Sequence, residues 1–268
     1  MKKQTIAAIL AAAAFLSGCG GAMSGGDDLS QAVVEELKAE TADPNLLSHE
    51  KIGYGQGVET DEYNCPIGAI NAQKQYGELG LVALGNDDKI RLTFDQGYEN
   101  GYTAKILDTL KEKDVKATFF VVQDYAEKNP ELVQRMIDEG HTVGNHSVNH
   151  LSMPELDYDT CRKEILGFHQ YMLDNYNYKM TLFRPPMGEF SEYSLAVTKE
   201  CGYKTEVWSF AYADWDTNAQ PDPDTALDKI VSAAHPGAIY LLHSVSKTNA
   251  DILGQVIDGI RAEGFEFK

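Results

Sequence analysis

From Lys89 onward, short runs rich in β-branched and aromatic residues alternate with stretches whose apolar positions recur at helical spacing. The runs cover residues 90–94, 117–122, 142–145, 180–183, 205–210, 238–242 and 265–268. Strands alternating with helices predict βαβ units around a parallel sheet, because a parallel neighbour is reached only by a crossover long enough to hold a helix. The helix between the second and third runs carries the plainest markers. Asn129 stands at its N-cap and Pro130 in its first turn; Leu132, Val133, Met136 and Ile137 share one face; Gly140 stops it. The same grammar puts Ile106, Leu107 and Leu110 on a helix before the second strand, and ends a helix over 195–201 at Gly202. It ends another, carrying Ile252, Leu253, Val256, Ile257 and Ile260, at Gly264.

Where these strands run out, the chain turns polar. The first runs into Asp95, the third into His146, the fourth into Arg184 and the sixth into His243. In a parallel barrel the carboxyl ends of the strands share one rim, and catalytic groups collect there. A carboxylate, two imidazoles and a guanidinium on one rim make an acid/base or metal-binding constellation. Each also has an ordinary structural role open to it. Asp95 could cap a helix starting near Gly101, although the intervening Gly97-Tyr98-Glu99-Asn100 makes that geometry poor. His146 and His150, four apart, aim both nitrogens one way if the turn is helical and can then share a cation, yet surface histidines reach that spacing by chance. Arg184-Pro185-Pro186 could be a rigid loop and His243 a satisfied core histidine. Asp214-Trp215-Asp216 could be a surface loop, while Trp215 offers the stacking area that sugar sites use.

The N-terminus bears on location. Lys2 and Lys3, the apolar run 6–16 and the small residues after it have the charged, hydrophobic and cleavage regions of a secretion signal. Leu16-Ser17-Gly18-Cys19 resembles a bacterial lipobox, in which the cysteine is acylated and becomes the mature N-terminus. Residues 1–18 are therefore expected to be a lipoprotein signal peptide, and Cys19 to hold an exported protein on the extracytoplasmic face of a bacterial cell membrane. An ordinary cleaved signal with an incidental cysteine is the alternative. Residues 19–50 read as a flexible tether, 51–88 as an extension packed on the sheet domain, and 89–268 as the body that carries the rim.

Composition narrows the partners. The 268 residues hold 41 Asp plus Glu against 23 Lys plus Arg, and a formal charge of -18 repels a polyphosphate backbone, which argues against a nucleic-acid partner. The run 6–16 is too short to span a bilayer. Cys65, Cys161 and Cys201 cannot all pair within one chain, which leaves either one bridge, Cys161 with Cys201, or three buried thiols.

Taken in order, five strings resemble the five motifs of the polysaccharide deacetylases, carbohydrate esterase family 4, also called the NodB-homology domain. They are Thr93-Phe94-Asp95-Gln96-Gly97, His146-Ser147-Val148-Asn149-His150, Arg184-Pro185-Pro186-Met187-Gly188, Asp214-Trp215 and Leu241-Leu242-His243. The resemblance covers residues 89–268. The longer strings 93–101 and 235–243, with Tyr54-Gly55-Gln56-Gly57 and Leu84-Gly85-Asn86 upstream, are similar to the delta-lactam-biosynthetic de-N-acetylase branch. The resemblance implies a distorted (β/α) barrel of about seven parallel strands with a short N-terminal extension. The implied reaction is hydrolysis of the acetamide of an N-acetylated cell-wall sugar. The branch narrows that sugar to N-acetylmuramic acid in peptidoglycan glycan strands lacking peptide stems.

Roles follow from the same resemblance. Asp95 would be the general base, held ionised by Arg184; His243 would be the general acid, with Asp214 favouring its charged form. His146, His150 and Gln96 would bind a divalent ion, zinc by the preference of imidazole. Gln96 stands where most members have a second aspartate, so the metal would be weakly held. The oxyanion would rest on the metal and on a backbone N–H near Met187; Trp215, Leu241 and Pro186 would wall the pocket. Two rivals differ in class or substrate: a non-catalytic glycan-binding lipoprotein, which needs neither a base nor an acid, and a deacetylase of N-acetylglucosamine polymers.

Overall fold

The structure, a computed structural model, describes residues 43–268. The expected signal peptide, Cys19 and the tether as far as residue 42 lie outside the described residues. The last part of the expected tether belongs to the body instead. Asp43 caps a short 3-10 turn (Pro44–Leu46) by accepting from the Asn45 N–H, and Pro44 is buried. Beyond the turn, the Ser48 carbonyl accepts from the Tyr193 N–H at 3.1 Å and the His49 ring stacks on Tyr193 at 3.9 Å.

The extension contributes β1 (Ile52–Gly53), α1 (Ile67–Tyr76) and β2 (Leu81–Val82). The body continues with β3 (Arg91–Gln96), α2 (Thr103–Glu112), β4 (Ala117–Val121), α3 (Gln123–Lys128), α4 (Pro130–Asp138) and β5 (Thr142–Asn145). Then come α5 (Tyr158–Tyr176), β6 (Leu182–Phe183), β7 (Glu189–Phe190), α6 (Glu192–Glu200) and β8 (Lys204–Glu206). The described chain ends with β9 (Phe210–Ala211), α7 (Pro223–Ser232), β10 (Ile239–His243) and α8 (Lys247–Ala262). Eight strands form one parallel sheet in the order β2-β8-β6-β5-β4-β3-β10-β9, and β1 pairs antiparallel with β7. This is a distorted (β/α) barrel.

Two differences from the sequence reading explain the distortion. The run 205–210, expected as one strand, is split. β8 pairs with β2 and β6 near one edge of the sheet, β9 pairs with β10 at the other, and residues 207–209 bridge the two. Within the bridge, the Val207 N–H still bonds the Val82 carbonyl and the Ser209 N–H bonds the Ile239 carbonyl, each at 2.9 Å. A covalent segment thus closes the barrel where the ladder is open. The Glu206 and Val207 carbonyls accept from the Arg184 guanidinium at 3.2 and 3.3 Å, which takes the place of strand pairing at the break. The second difference is at the C-terminus: 265–268 makes a single bridge, Phe267 to Ile90, and the extension's β2 supplies the missing strand.

The helices pack as their periodicity requires. Ile106, Leu107 and Leu110 of α2 and Ile252, Leu253, Val256, Ile257 and Ile260 of α8 are buried in one core with Phe94 and Phe119. At roughly 1.5–3 kcal/mol for each fully buried side chain, the α8 stripe alone fixes that helix on the barrel. Gly140, Gly202 and Gly264 end helices with positive φ, as expected. Asn129 differs from expectation: it makes no side-chain cap to α4, and its amide instead closes α3 by donating to the Tyr125 carbonyl. Cys65, Cys161 and Cys201 are free thiols, so the Cys161–Cys201 bridge is absent; Cys65 and Cys161 are buried and Cys201 is half-buried. Among the described residues no helix is long and apolar enough to cross a membrane.

Candidate active site

The carboxyl end of β3 lies in register with that of β10, Asp95 opposite His243. Neighbouring strands are about 4.8 Å apart and opposed residues share a face, so a carboxylate and an imidazole stand side by side on the rim. Each has its own partner of opposite charge. Asp95 Oδ1 accepts from Arg184 Nη1 at 2.8 Å, and Asp214 Oδ1 accepts from His243 Nδ1 at 2.7 Å.

Arg184 is fully buried, which an unpaired guanidinium could not be. Its Nη1 also donates to Thr93 Oγ1 at 2.7 Å, its Nε and Nη2 reach the Glu206 and Val207 carbonyls, and its plane lies 4.0 Å over the Phe120 ring. Glu206 Oε1 sits 3.9 Å behind it. Sequence reasoning missed Thr93, Phe120 and Glu206. Only Thr93 left a trace, as a polar residue two before Asp95 and so on the same face of an otherwise apolar strand. Burial alone would raise the Asp95 carboxyl; Arg184, then His146 and His243, outweigh it and hold Asp95 below the usual carboxylate range.

His146 follows β5, and its Nδ1 lies 2.8 Å from the Arg184 carbonyl. A carbonyl only accepts, so the proton is on Nδ1 and the Nε2 lone pair is free. His146 Nε2 is 3.2 Å from His150 Nε2 and 3.5 Å from Asp95 Oδ2. The segment 146–150 is not helical. Ser147 and His150 adopt positive φ of 73° and 57°, and the loop is tied down from outside. Glu164 of α5 accepts from the Asn149 N–H and side-chain amide at 2.8 and 2.6 Å, while its carbonyl takes the Val148 N–H. The two nitrogens converge all the same. Burial pushes the His146 imidazole down to about 4 and also lowers His150, so both are neutral at pH 7, as metal ligands must be.

Two zinc-bound nitrogens in tetrahedral geometry lie roughly 3.3 Å apart, given Zn–N bonds of about 2.0–2.1 Å, and the imidazole pair matches that spacing. Beyond the pair the protein offers little. Among the described residues no group of three or more His, Cys, Asp or Glu side chains is arranged to hold a metal ion. Gln96, expected as the third ligand, is tied elsewhere: its Nε2 donates to Ser244 Oγ at 2.7 Å, and its Oε1 is buried without a partner. The strand pairing continues through Gln96 to Val121, and alternation along a regular strand turns Gln96 away from the face that carries Asp95.

The remaining expected residues differ in exposure. Trp215 is half-exposed, its ring edge-on to His243 at 5.8 Å. Leu241 is buried two residues before His243, on the same face. Pro186 is buried, while Met187 is exposed and has a φ of 60°. Gly188 must be glycine here: its φ is positive, and a Cβ would stand 2.6 Å from the Trp208 ring. His243 is raised above the ordinary histidine value. Burial works against this, but the Asp214 hydrogen bond and charge, with Asp95, outweigh it.

The polysaccharide deacetylase family model matches residues 84–205. The peptidoglycan-N-acetylmuramic acid deacetylase PdaA of Bacillus subtilis is 44% identical over 193 residues, 69% of this chain and 72% of that protein. The solved structure of Bacillus subtilis PdaA, a family 4 carbohydrate esterase, aligns with a TM-score of 0.78 at 38% identity, over 83% of this chain and 96% of that one. A family 4 carbohydrate esterase from Bacillus anthracis aligns with a TM-score of 0.68 at 36% identity, over 83% and 95% of the two chains.

Proposed function

Because the chain belongs to the polysaccharide deacetylase family, we propose that it hydrolyses the acetamide of N-acetylmuramic acid in peptidoglycan strands lacking peptide stems. The observation that carries the chemistry is the register pair Asp95 and His243, each with a counter-charge that drives it toward the opposite protonation state. Two titratable groups pushed apart in this way are the mark of an assigned base and acid.

Asp95, ionised, takes a proton from the attacking water as the water oxygen bonds the acetyl carbon. Arg184 fixes the carboxylate that does this, leaving Oδ2 toward the substrate side. A backbone N–H near Met187 donates to the oxygen of the tetrahedral intermediate. His243 carries its proton on Nδ1 against Asp214, so Nε2 gives its own proton to the sugar nitrogen as the carbon–nitrogen bond breaks. Acetate and a free amine leave. A divalent ion held by His146 and His150, zinc by ligand type, would polarise the acetyl carbonyl and make the water more acidic. Trp215 and Leu241 enclose the acetyl group.

The choice of sugar rests on PdaA, whose name states it. Acetate release from defined glycans tests that choice. We expect turnover of peptide-free N-acetylmuramic-acid-containing strands well above that of peptide-bearing strands or chitin oligomers. Equal rates on all three would contradict it and favour the N-acetylglucosamine polymer alternative.

A further inference from the structure

Behind the Asp214–His243 pair lies a second layer of buried polar groups that the reaction as described does not use. Asp214 is wholly buried and accepts three hydrogen bonds: from His243 Nδ1 on Oδ1, and from the His243 N–H at 2.8 Å and Asn249 Nδ2 at 2.5 Å on Oδ2. Asn249 sits in the first turn of α8 and is itself buried. Its backbone N–H is capped by Ser246 Oγ at 3.1 Å, and Ser246 in turn donates to Gln220 Oε1 at 2.7 Å. The orientation of the Asn249 amide is dictated by its neighbours. Nδ2 faces two acceptors, Asp214 Oδ2 and the His243 carbonyl, while Oδ1 takes the hydroxyl of Tyr212. Reversing the amide would set oxygen against oxygen on one side and waste the Tyr212 donor on the other. Tyr212 keeps its proton: burial, with the nearby Asp214 charge, raises its hydroxyl.

The chain Tyr212, Asn249, Asp214, His243 runs from the core to the rim, with donation converging on the Asp214 carboxylate from Asn249 on one side and His243 on the other, and only His243 at its end is partly open to solvent. We propose that Asn249, backed by Tyr212, is a positioning residue for the acid of the reaction, locking the Asp214 carboxylate in the plane that keeps His243 Nδ1 protonated and Nε2 turned to the substrate. This rests on the reading of His243 as the proton donor. Without the Asn249 amide, Asp214 Oδ2 keeps only the His243 N–H, the carboxylate is free to swing, and its bond to the imidazole lengthens. Burial then dominates and draws His243 down. The other groups facing His243 stay in place: Asp95 from β3 and Arg184 after β6, with His150 from the 146–150 loop and the Trp215 edge.

The test reads His243 directly as well as through turnover. Histidine-labelled full-length protein is titrated by NMR as wild type, Asn249→Leu and Tyr212→Phe, with His243→Ala assigning the resonance. In parallel, kcat and KM for acetate release are measured across pH. We expect the His243 midpoint to fall by about one unit in Asn249→Leu and by less, in the same direction, in Tyr212→Phe. A one-unit fall corresponds to a tenfold change in protonation equilibrium, so kcat should drop about tenfold on the alkaline side with KM within about twofold. A His243 midpoint unmoved in folded Asn249→Leu overturns the proposal. If that variant does not fold, an unmoved midpoint in Tyr212→Phe overturns it alone. The NMR titration stands even if no glycan is turned over, so failure of the deacetylase reading is told apart from failure of this one.

Discussion

At the scale of single residues, the site depends on giving two neighbouring groups opposite partners. Asp95 meets a guanidinium and His243 meets a carboxylate, across adjacent strands of one sheet. The alkaline limb of kcat/KM should therefore belong to His243, which acts while protonated. Because Asp214 raises it, activity persists above the ordinary histidine value of about 6.5 and is lost as pH rises through the raised one. Asp214→Asn removes the raising partner and leaves burial, which lowers. The limb should move to lower pH in a pH–rate profile of that variant; a limb that stays or moves up would show that another group sets it. These residues were legible in the sequence because each follows a strand directly, and a strand end has a fixed place in a barrel. Their supports were not. Phe120, Glu206, Asn249 and Tyr212 carry no local mark of their role, since that role lies in contacts with distant segments.

At the scale of elements, the main lesson is the segment 146–150. The four-residue spacing brings the two imidazoles together only if the turn is helical, whereas the pair of nitrogens is brought together by two left-handed residues and a clamp from α5. Nothing in the local sequence announces Glu164, fourteen residues beyond His150, as the clamp. Gln96 is the converse case: its place in the motif pointed to the metal, but the regularity of β3 delivers it to Ser244. Similarly, the run 205–210 had the composition of one strand and is split in two, with Arg184 donating to its Glu206 and Val207 carbonyls at the break. Glu164→Ala should loosen the loop without touching the rim residues. Losing hydrogen bonds to a charged group costs about 1.5–3 kcal/mol each at most, and a domain of this size loses about 2–4 °C in Tm per kcal/mol. Calorimetry should show a Tm lower by several degrees, and metal analysis after mild chelation should show less metal retained than wild type. Unchanged retention would mean that Glu164 does not serve the histidine pair.

At the scale of the molecule, the barrel is closed by chain continuity at 207–209 and backed by an extension that supplies a sheet strand. The alternation of strands and helices made the barrel legible; β2 escaped because a two-residue strand has no period to detect. The proposed attachment through Cys19 predicts that wild-type protein fractionates with membranes and that Cys19→Ala does not. A Cys19→Ala protein still found in the detergent-soluble membrane fraction would contradict it.

The central claim is that this rim hydrolyses an acetamide with Asp95 as base and His243 as acid. Its most direct measurement is acetate release from peptide-free glycan strands by wild type, Asp95→Asn and His243→Ala, with circular dichroism of each to show that it is folded. A positioned acid or base contributes about 10²–10⁴-fold, so each variant should lose at least a hundredfold in kcat while keeping its fold. Near-wild-type acetate release by either folded variant would remove that residue from the reaction.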